Sequence, residues 1–164
     1  MKRSVRLTVA ALTVSLVCAV GCDRGDHPAT IGKAAPLFVM NDGVQTVDMS
    51  KLRGKTVVLN LWATWCAPCV EELPSLLVLQ QKMPNIAVVA VSTDQDDTVY
   101  RKFLVKHSVD VLTVRDADQK VNQMYGTLMI PETYVIDKNG VIRRKFIGPQ
   151  DWTSPDIIDY LNKL

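Results

Sequence analysis

The chain has 164 residues, of which 48% are hydrophobic and 22% charged, and its formal net charge is +2. This length suits one compact domain with a single core rather than two large domains. The composition, without homopolymeric tracts or internal repeats, excludes disordered, collagen-like and solenoid proteins.

The first 21 residues have the pattern of a secretion signal. Lys2, Arg3 and Arg6 precede an uncharged apolar run over residues 7–20, which is too short to span a bilayer comfortably. Removing residues 1–21 removes three of the 19 Lys and Arg residues and none of the 17 Asp and Glu residues, so the net charge falls from +2 to about −1. The mature chain then has no basic cluster in its sequence, which argues against nucleic-acid binding.

Cys22 follows three small residues, and residues 19–22 resemble a bacterial lipobox, in which the cysteine is acylated and becomes the new N-terminus. Ala19 stands where that pattern prefers Leu, so ordinary cleavage before an unmodified Cys22 stays open. Residues 22–32 are polar and contain Gly and Pro, as is typical of a flexible tether. We therefore expect an exported protein, anchored by lipidated Cys22, facing the periplasm or extracytoplasmic space, with a folded domain over residues 33–164.

The rest of the chain predicts alternating strands and helices. A turn signal at residues 41–43 indicates a small hairpin, and apolar runs over residues 56–61 and 86–91 indicate strands buried on both faces. Helical spacing predicts helices over residues 67–82, kinked at Pro74, and over residues 98–107.

A short strand over residues 111–114, a helical turn near 121–125, a hairpin over 133–147 and a last helix starting at Ser154 complete the order. This order predicts an α/β sandwich with a mixed sheet and right-handed crossovers. The apolar side chains that the helices are expected to bury are Val70, Leu73, Leu77, Val99, Phe103, Ile158 and Leu161.

Cys66 and Cys69 form a C-x-x-C at the junction of a predicted buried strand and a predicted helix. The first cysteine lies at the helix N-terminus, where unpaired backbone N–H groups and the helix dipole stabilise a thiolate. We therefore predict that Cys66 attacks a substrate and that Cys69, one turn inside the helix, resolves the mixed disulfide. The pair can exchange two electrons without a cofactor. Pro68 suits the first helical turn, which does not need its missing N–H.

Other interpretations of the pair are a structural disulfide and half of a zinc site. A disulfide across so short a loop constrains the unfolded chain little, and zinc needs more ligands, for which only His107 is available in the folded part. Residues 94–97 lack the Gly and Glu of a calcium loop, so we expect a solvated acidic turn there. The sequence thus predicts no metal site, although two thiolates with Met129 nearby leave a copper(I)-binding chaperone open.

Residues 58–69 resemble the active-site strand and helix of thioredoxin-like, membrane-anchored oxidoreductases of the TlpA, ResA and CcmG/DsbE type, and residues 125–137 match a second motif of that family. The resemblance covers about residues 32–164. It implies a thioredoxin-like sandwich whose mixed central sheet is flanked by helices, with an N-terminal β-hairpin and an inserted strand–helix unit. Pro131 aligns with the family's cis-proline, which faces the cysteine pair, and the backbone of Ile130 is where an extended substrate adds as a strand.

Glu72 follows Cys69 by three positions, so the two lie on one face of the helix. In the family a glutamate at this position is partly buried near the thiols, where a carboxylate can take the proton of Cys69 and desolvation raises its pKa. A solvated carboxylate is the alternative for Glu72, and it is what we expect for Glu71. Trp65 is expected to cover one side of the cysteines and to contact substrate, whereas Trp62 suits the core equally well.

The resemblance implies an exported thiol–disulfide oxidoreductase that reduces protein disulfides, for example in cytochrome c maturation, with a membrane thiol-transfer protein as its electron donor. Ala67 and Pro68 between the cysteines carry no charge, whereas a His there would favour an oxidant. A dithiol oxidant or isomerase stays open. We expect a monomer whose partners are protein thiols and disulfides, with no nucleic-acid partner and no cofactor.

Overall fold

The computed structural model describes residues 30–164, which form a five-stranded mixed sheet flanked by helices and a separate two-stranded antiparallel sheet. The predicted signal over residues 1–21 and most of the predicted tether lie outside the described residues. The elements in chain order are β1 Val39–Asn41, β2 Thr46–Asp48, a 3₁₀ helix Met49–Leu52, β3 Thr56–Trp62, α1 Ala67–Lys82, β4 Ile86–Ser92, α2 Asp97–Lys106, β5 Leu112–Arg115, α3 Lys120–Tyr125, β6 Glu132–Ile136, β7 Ile142–Ile147 and α4 Pro155–Asn162.

The central sheet has the order β5-β4-β3-β6-β7. β3 is parallel to β4, and β4 is parallel to β5, while β6 pairs antiparallel with both β3 and β7. Every residue of β3 and β4 is buried, because helices and the N-terminal segment cover both faces of these central strands. The predicted thioredoxin-like α/β fold is therefore confirmed.

Two hydrophobic clusters lie on the two faces of the sheet, and consecutive residues of β3 alternate between them. Val58 and Trp62 belong to the cluster that includes side chains of α1 and α4, whereas Leu59 and Leu61 belong to the cluster with Phe38 and other residues of the N-terminal segment. This alternation follows from the two-residue period of a strand. Trp62, whose role the sequence left open, is a core residue with 1% exposure.

The residues that the helices bury differ in part from those that were predicted. In α1 the buried residues are Cys69, Glu72, Leu73, Leu76 and Leu79, while Val70 and Leu77 are half-buried. In α2 the buried residue is Tyr100, and Val99 is exposed. In α4 Ile157 is buried together with Leu161, whereas Ile158 is half-buried. Several apolar residues stand side by side in these helices, so spacing alone did not specify which one faces the sheet. α1 is assigned as one helix that continues through Pro74.

The N-terminal hairpin lies beside β5, which is an edge strand of the central sheet. The backbone N–H of Thr113 donates to the side-chain oxygen of Gln45 at 3.1 Å, and the N–H of Arg115 donates to the carboxylate of Asp42 at 3.2 Å. These side chains occupy two backbone donors of β5 that the sheet itself leaves unpaired.

Candidate active site

The cysteine pair lies where β3 ends and α1 begins, at the carboxyl edge of the parallel strands. Cys66 is the N-cap residue of α1, and its Sγ accepts the N–H of Cys69 at 3.3 Å. The two cysteines form a disulfide with a Cα–Cα distance of 5.3 Å. Both cysteines are buried, and Cys66, with 6% exposure, is the more accessible residue, since Cys69 is 1% exposed.

The Ile130–Pro131 peptide bond faces this disulfide, and it is cis. The carbonyl oxygen of Ile130 lies 3.8 Å from Cys66 Sγ. A disulfide sulfur carries no hydrogen, so in this oxidised form the approach is a contact, and only the reduced thiol can donate to that carbonyl. The backbone of Ile130 thus lies next to Cys66, as the family resemblance led us to expect.

Glu72, three residues after Cys69 on α1, is buried with 3% exposure, so its side chain is not a solvated helix carboxylate. Its Oε1 accepts the side-chain N–H of Asn60 at 2.7 Å, and its Oε2 accepts the backbone N–H of Gln150 at 3.0 Å and the indole N–H of Trp152 at 3.3 Å. Burial raises the pKa of Glu72 above its ordinary value, and these three hydrogen bonds oppose the rise only in part. The neighbouring Glu71 is exposed, as expected.

An exposed apolar surface borders the disulfide on the side of Trp65. Trp65 is 69% exposed, Leu128 is 80% exposed and Met129 is 60% exposed. With Ile130 they line a groove of about 340 Å³, which is completed by Thr93, Gln119, Asn122 and Thr127. Trp65 therefore projects outward as one wall of this groove, where a partner chain can contact it.

A second buried carboxylate lies on the other face of the sheet, directly after Pro131. Glu132 and Lys145 form an ion pair with 2.9 Å between Oε2 and Nζ, and both side chains are 2% exposed. The hydroxyl of Tyr134 donates to the same carboxylate oxygen at 3.2 Å. The register of β6 against β7 places Lys145 opposite Tyr134. From this position the Lys145 ammonium reaches the carboxylate of Glu132.

The comparisons with known proteins agree with this geometry. Residues 30–164 match the family model described as Redoxin. The chain belongs to the Redoxin family. It is 33% identical over 137 residues to the thiol-disulfide oxidoreductase ResA of Bacillus anthracis, covering 82% of this chain and 78% of that protein. It is 35% identical over 155 residues to the thiol:disulfide interchange protein DsbE of Pseudomonas fluorescens, covering 88% of this chain and 86% of that protein.

The fold is also similar to that of a secreted disulfide oxidoreductase from Mycobacterium tuberculosis, with a TM-score of 0.68 at 24% identity, covering 78% of this chain and 96% of that chain. This Redoxin-family chain is thus a thiol–disulfide oxidoreductase of the ResA and DsbE type, as the resemblance implied.

Sequence reasoning missed several residues of this Redoxin site. Asn60 is the one strongly polar residue in the apolar strand β3, and that contrast could have marked it. Its side-chain N–H groups contact both Glu72 and, at 2.9 Å, Thr133 Oγ1. Trp152 lies 80 residues from Glu72 in sequence, so no local pattern could have linked them.

The expectation of a solvated acidic turn over residues 94–97 is confirmed for Gln95, Asp96 and Asp97, which are exposed, but it is wrong for Asp94. Asp94 is not part of a solvated turn, because it is 3% exposed and accepts hydrogen bonds from Thr64 and Ser92. Within residues 30–164 no group of three or more His, Cys, Asp or Glu side chains could hold a metal ion. His107 caps the end of α2 and stacks on Phe103 at 4.1 Å between ring centroids.

The predicted lipidation site, Cys22, lies outside the described residues. No helix in the part of the chain that the structure describes is long and apolar enough to cross a membrane.

Proposed function

We propose that this oxidoreductase is exported and reduces disulfides in other exported proteins, with the haem-attachment cysteines of cytochrome c apoproteins as its target. A membrane thiol-transfer protein is its electron donor. The observation that carries the proposal is Glu72, a buried carboxyl group with a raised pKa on the same helix face as the resolving cysteine, Cys69. Cys69 must lose its proton before it can attack the mixed disulfide on Cys66 and release the product. A nearby proton acceptor makes this step easier.

The proposed cycle begins with the reduced pair. The Cys66 thiolate attacks one sulfur of the substrate disulfide, the substrate S–S bond breaks, and a mixed disulfide forms with Cys66. The other substrate sulfur leaves as a thiolate and takes up a proton from solvent. Cys69 then gives its proton to Glu72 and attacks Cys66 Sγ, which breaks the mixed disulfide and expels the substrate sulfur bonded to Cys66 as a thiolate that takes up the proton held by Glu72. The products are a substrate dithiol and the Cys66–Cys69 disulfide, and the donor dithiol returns two electrons by the same exchange in reverse.

The reduction potential of the Cys66–Cys69 pair tests the direction of electron flow. The two residues between the cysteines, Ala67 and Pro68, carry no charge that would stabilise the thiolate of a strong oxidant. We expect a potential more negative than about −200 mV in equilibrium with a dithiothreitol buffer. A potential near that of the strongly oxidising enzymes, about −120 mV, would make the protein a dithiol oxidant instead.

The proposed location is the outer face of the membrane, with lipid on Cys22. Small residues precede Cys22 and a polar segment follows it, as an acylated anchor requires. Mass spectrometry of the membrane fraction should find a diacylglyceryl or triacyl group on Cys22, and Cys22→Ser should move the protein to the soluble fraction. A soluble wild-type form that begins with free Cys22 would contradict the anchor but not the redox function.

A further inference from the structure

The turn that leads into the cysteine pair is held by a carboxylate from the neighbouring strand. Asp94 follows the carboxyl end of β4, and both of its oxygens contact Thr64, two residues before Cys66. Oδ2 accepts the backbone N–H of Thr64 at 3.0 Å, and Oδ1 accepts the Thr64 hydroxyl at 2.6 Å. Asp94 is 3% exposed. Because the carboxylate is buried and Thr64 is half-buried, solvent competes only in part for these two hydrogen bonds.

Ser92 fixes the orientation of that carboxylate. The Ser92 hydroxyl donates to Asp94 Oδ2 at 2.5 Å and accepts the backbone N–H of Asp94 at 3.0 Å. Ser92 itself is the last residue of β4 and pairs with Trp62 in the parallel register. The anchor for Thr64 is thus built into the two central strands of the sheet.

Trp65 is the largest side chain of the turn over residues 63–65, and it contributes little to holding the turn in place. Trp65 is 69% exposed, so its packing does little to fix the turn. The turn nevertheless determines where Cys66 lies as the N-cap of α1, with Sγ 3.3 Å from the N–H of Cys69. The influence of a helix N-terminus falls off within the first turn, so a small displacement of Cys66 weakens the stabilisation of its thiolate.

We propose that Asp94 is a positioning residue for the thiol chemistry: by holding Thr64 through two hydrogen bonds, it fixes Cys66 Sγ at the N-terminus of α1 and Trp65 at the wall of the groove. This role does not depend on the direction of electron flow or on the identity of the substrate.

Loss of the Asp94 charge and loss of its hold on Thr64 should shift the pH at which the Cys66 thiolate forms in opposite directions. Replacing Asp94 with Asn removes a negative charge, and by charge alone this would favour the Cys66 thiolate at lower pH. If Asp94 acts by position, loosening the turn instead shifts thiolate formation to higher pH. Thr64→Val removes one of the two hydrogen bonds and leaves the carboxylate of Asp94 in place, so it separates the two effects.

The experiment measures the rate of Cys66 alkylation by iodoacetamide in the reduced full-length protein from pH 4 to pH 10. We expect Asp94→Asn and Thr64→Val to raise the pH of half-maximal rate and to slow alkylation at pH 7 by about threefold or more. Thr64→Ser, which keeps the hydroxyl, should match wild type. Asp118→Asn is the matched control, because Asp118 is an exposed carboxylate on the surface.

Two results would overturn the proposal. An unchanged alkylation profile in folded Thr64→Val, even with a lower melting temperature, would mean that the contact between Asp94 and Thr64 only stabilises the fold. A shift to lower pH in Asp94→Asn with none in Thr64→Val would identify a charge effect. If Asp94→Asn does not fold, the alkylation profiles of Thr64→Val and Thr64→Ser are sufficient to test the proposal. Alkylation needs no protein substrate, so its outcome is independent of the proposed reductase function.

Discussion

Two buried glutamates lie on opposite faces of the sheet near the cysteine pair, and they have different partners. Glu72 is 3% exposed and accepts three neutral N–H groups, so burial raises its pKa. Glu132 is 2% exposed and has the Lys145 ammonium 2.9 Å away. Glu132 is thus held in an ion pair, whereas Glu72 has only neutral donors around it, which offset in part the desolvation that raises its pKa. The two carboxylates therefore differ in partner: neutral donors surround Glu72, and a cation is paired with Glu132.

The largest expected effect comes from removing the cation of the second glutamate. Lys145→Met leaves the Glu132 carboxylate buried with the Tyr134 hydroxyl, and we expect a loss of about 3 kcal/mol in the free energy of unfolding. Urea denaturation measures this loss. Lys120→Met, which removes an exposed ion pair with Asp118, is the control and should leave the unfolding midpoint almost unchanged.

The double variant Glu132→Gln with Lys145→Met sharpens the comparison further, because it removes both charges together. It should recover part of the stability lost in Lys145→Met. It should also keep the pH dependence of thiol–disulfide exchange. A changed pH profile in this variant would mean that both glutamates take part in proton transfer.

The next largest effect is on catalysis. Glu72→Gln keeps the shape of the side chain but removes its proton-accepting group, so we expect exchange with a peptide disulfide at pH 7 to slow by about 10²-fold. Stopped-flow kinetics from pH 5 to pH 9 measures the change, with Glu71→Gln as the exposed neighbouring control. Superimposable profiles for wild type and Glu72→Gln would assign Glu72 a structural role only.

A smaller effect is expected from Asn60, whose N–H favours the ionised form of Glu72. Asn60→Ala should raise the pKa of Glu72 further, so the acid limb of the pH–rate profile should move to higher pH. Thr133→Val is a suitable control, because it removes the other acceptor of Asn60 and leaves the contact with Glu72 intact. An equal shift in both variants would point to general loosening of the strand.

The smallest effect concerns stability and pH. Glu72 in the unfolded chain titrates near its ordinary value of 4.5, and burial raises the pKa in the folded chain. Stability from Glu72 is thus fully present below pH 4.5 and is lost as the pH rises through the folded pKa. Wild type should therefore lose stability relative to Glu72→Gln over this range in urea titrations. A constant difference between the two proteins would contradict the raised pKa.

The sequence specified the parts of this molecule that depend on local pattern. The bounds of α1 were predicted without error, since an N-cap position, an early proline and helical spacing all lie within one segment. β3 and β4 were recognisable as apolar runs. The cysteine pair could be located because its chemistry depends on spacing along the chain.

The partners of the two glutamates could not be predicted in this way. Lys145 approaches Glu132 only through the antiparallel register of β6 and β7, which includes a shift between Val135 and Ile136. Asp94 was misjudged for a similar reason, because its burial depends on the neighbouring strand–helix turn rather than on its acidic sequence neighbours. Tertiary contacts between distant segments decide whether a carboxylate is solvated.

The hairpin side chains on β5 have a consequence for a protein that handles other polypeptides. Extended, unfolded chains add readily to a free sheet edge and can start aggregation there. Gln45 and Asp42 occupy the backbone donors of Thr113 and Arg115, so an incoming strand cannot use these two positions. The N-terminal hairpin thus blocks the addition of a foreign strand at these two positions of β5.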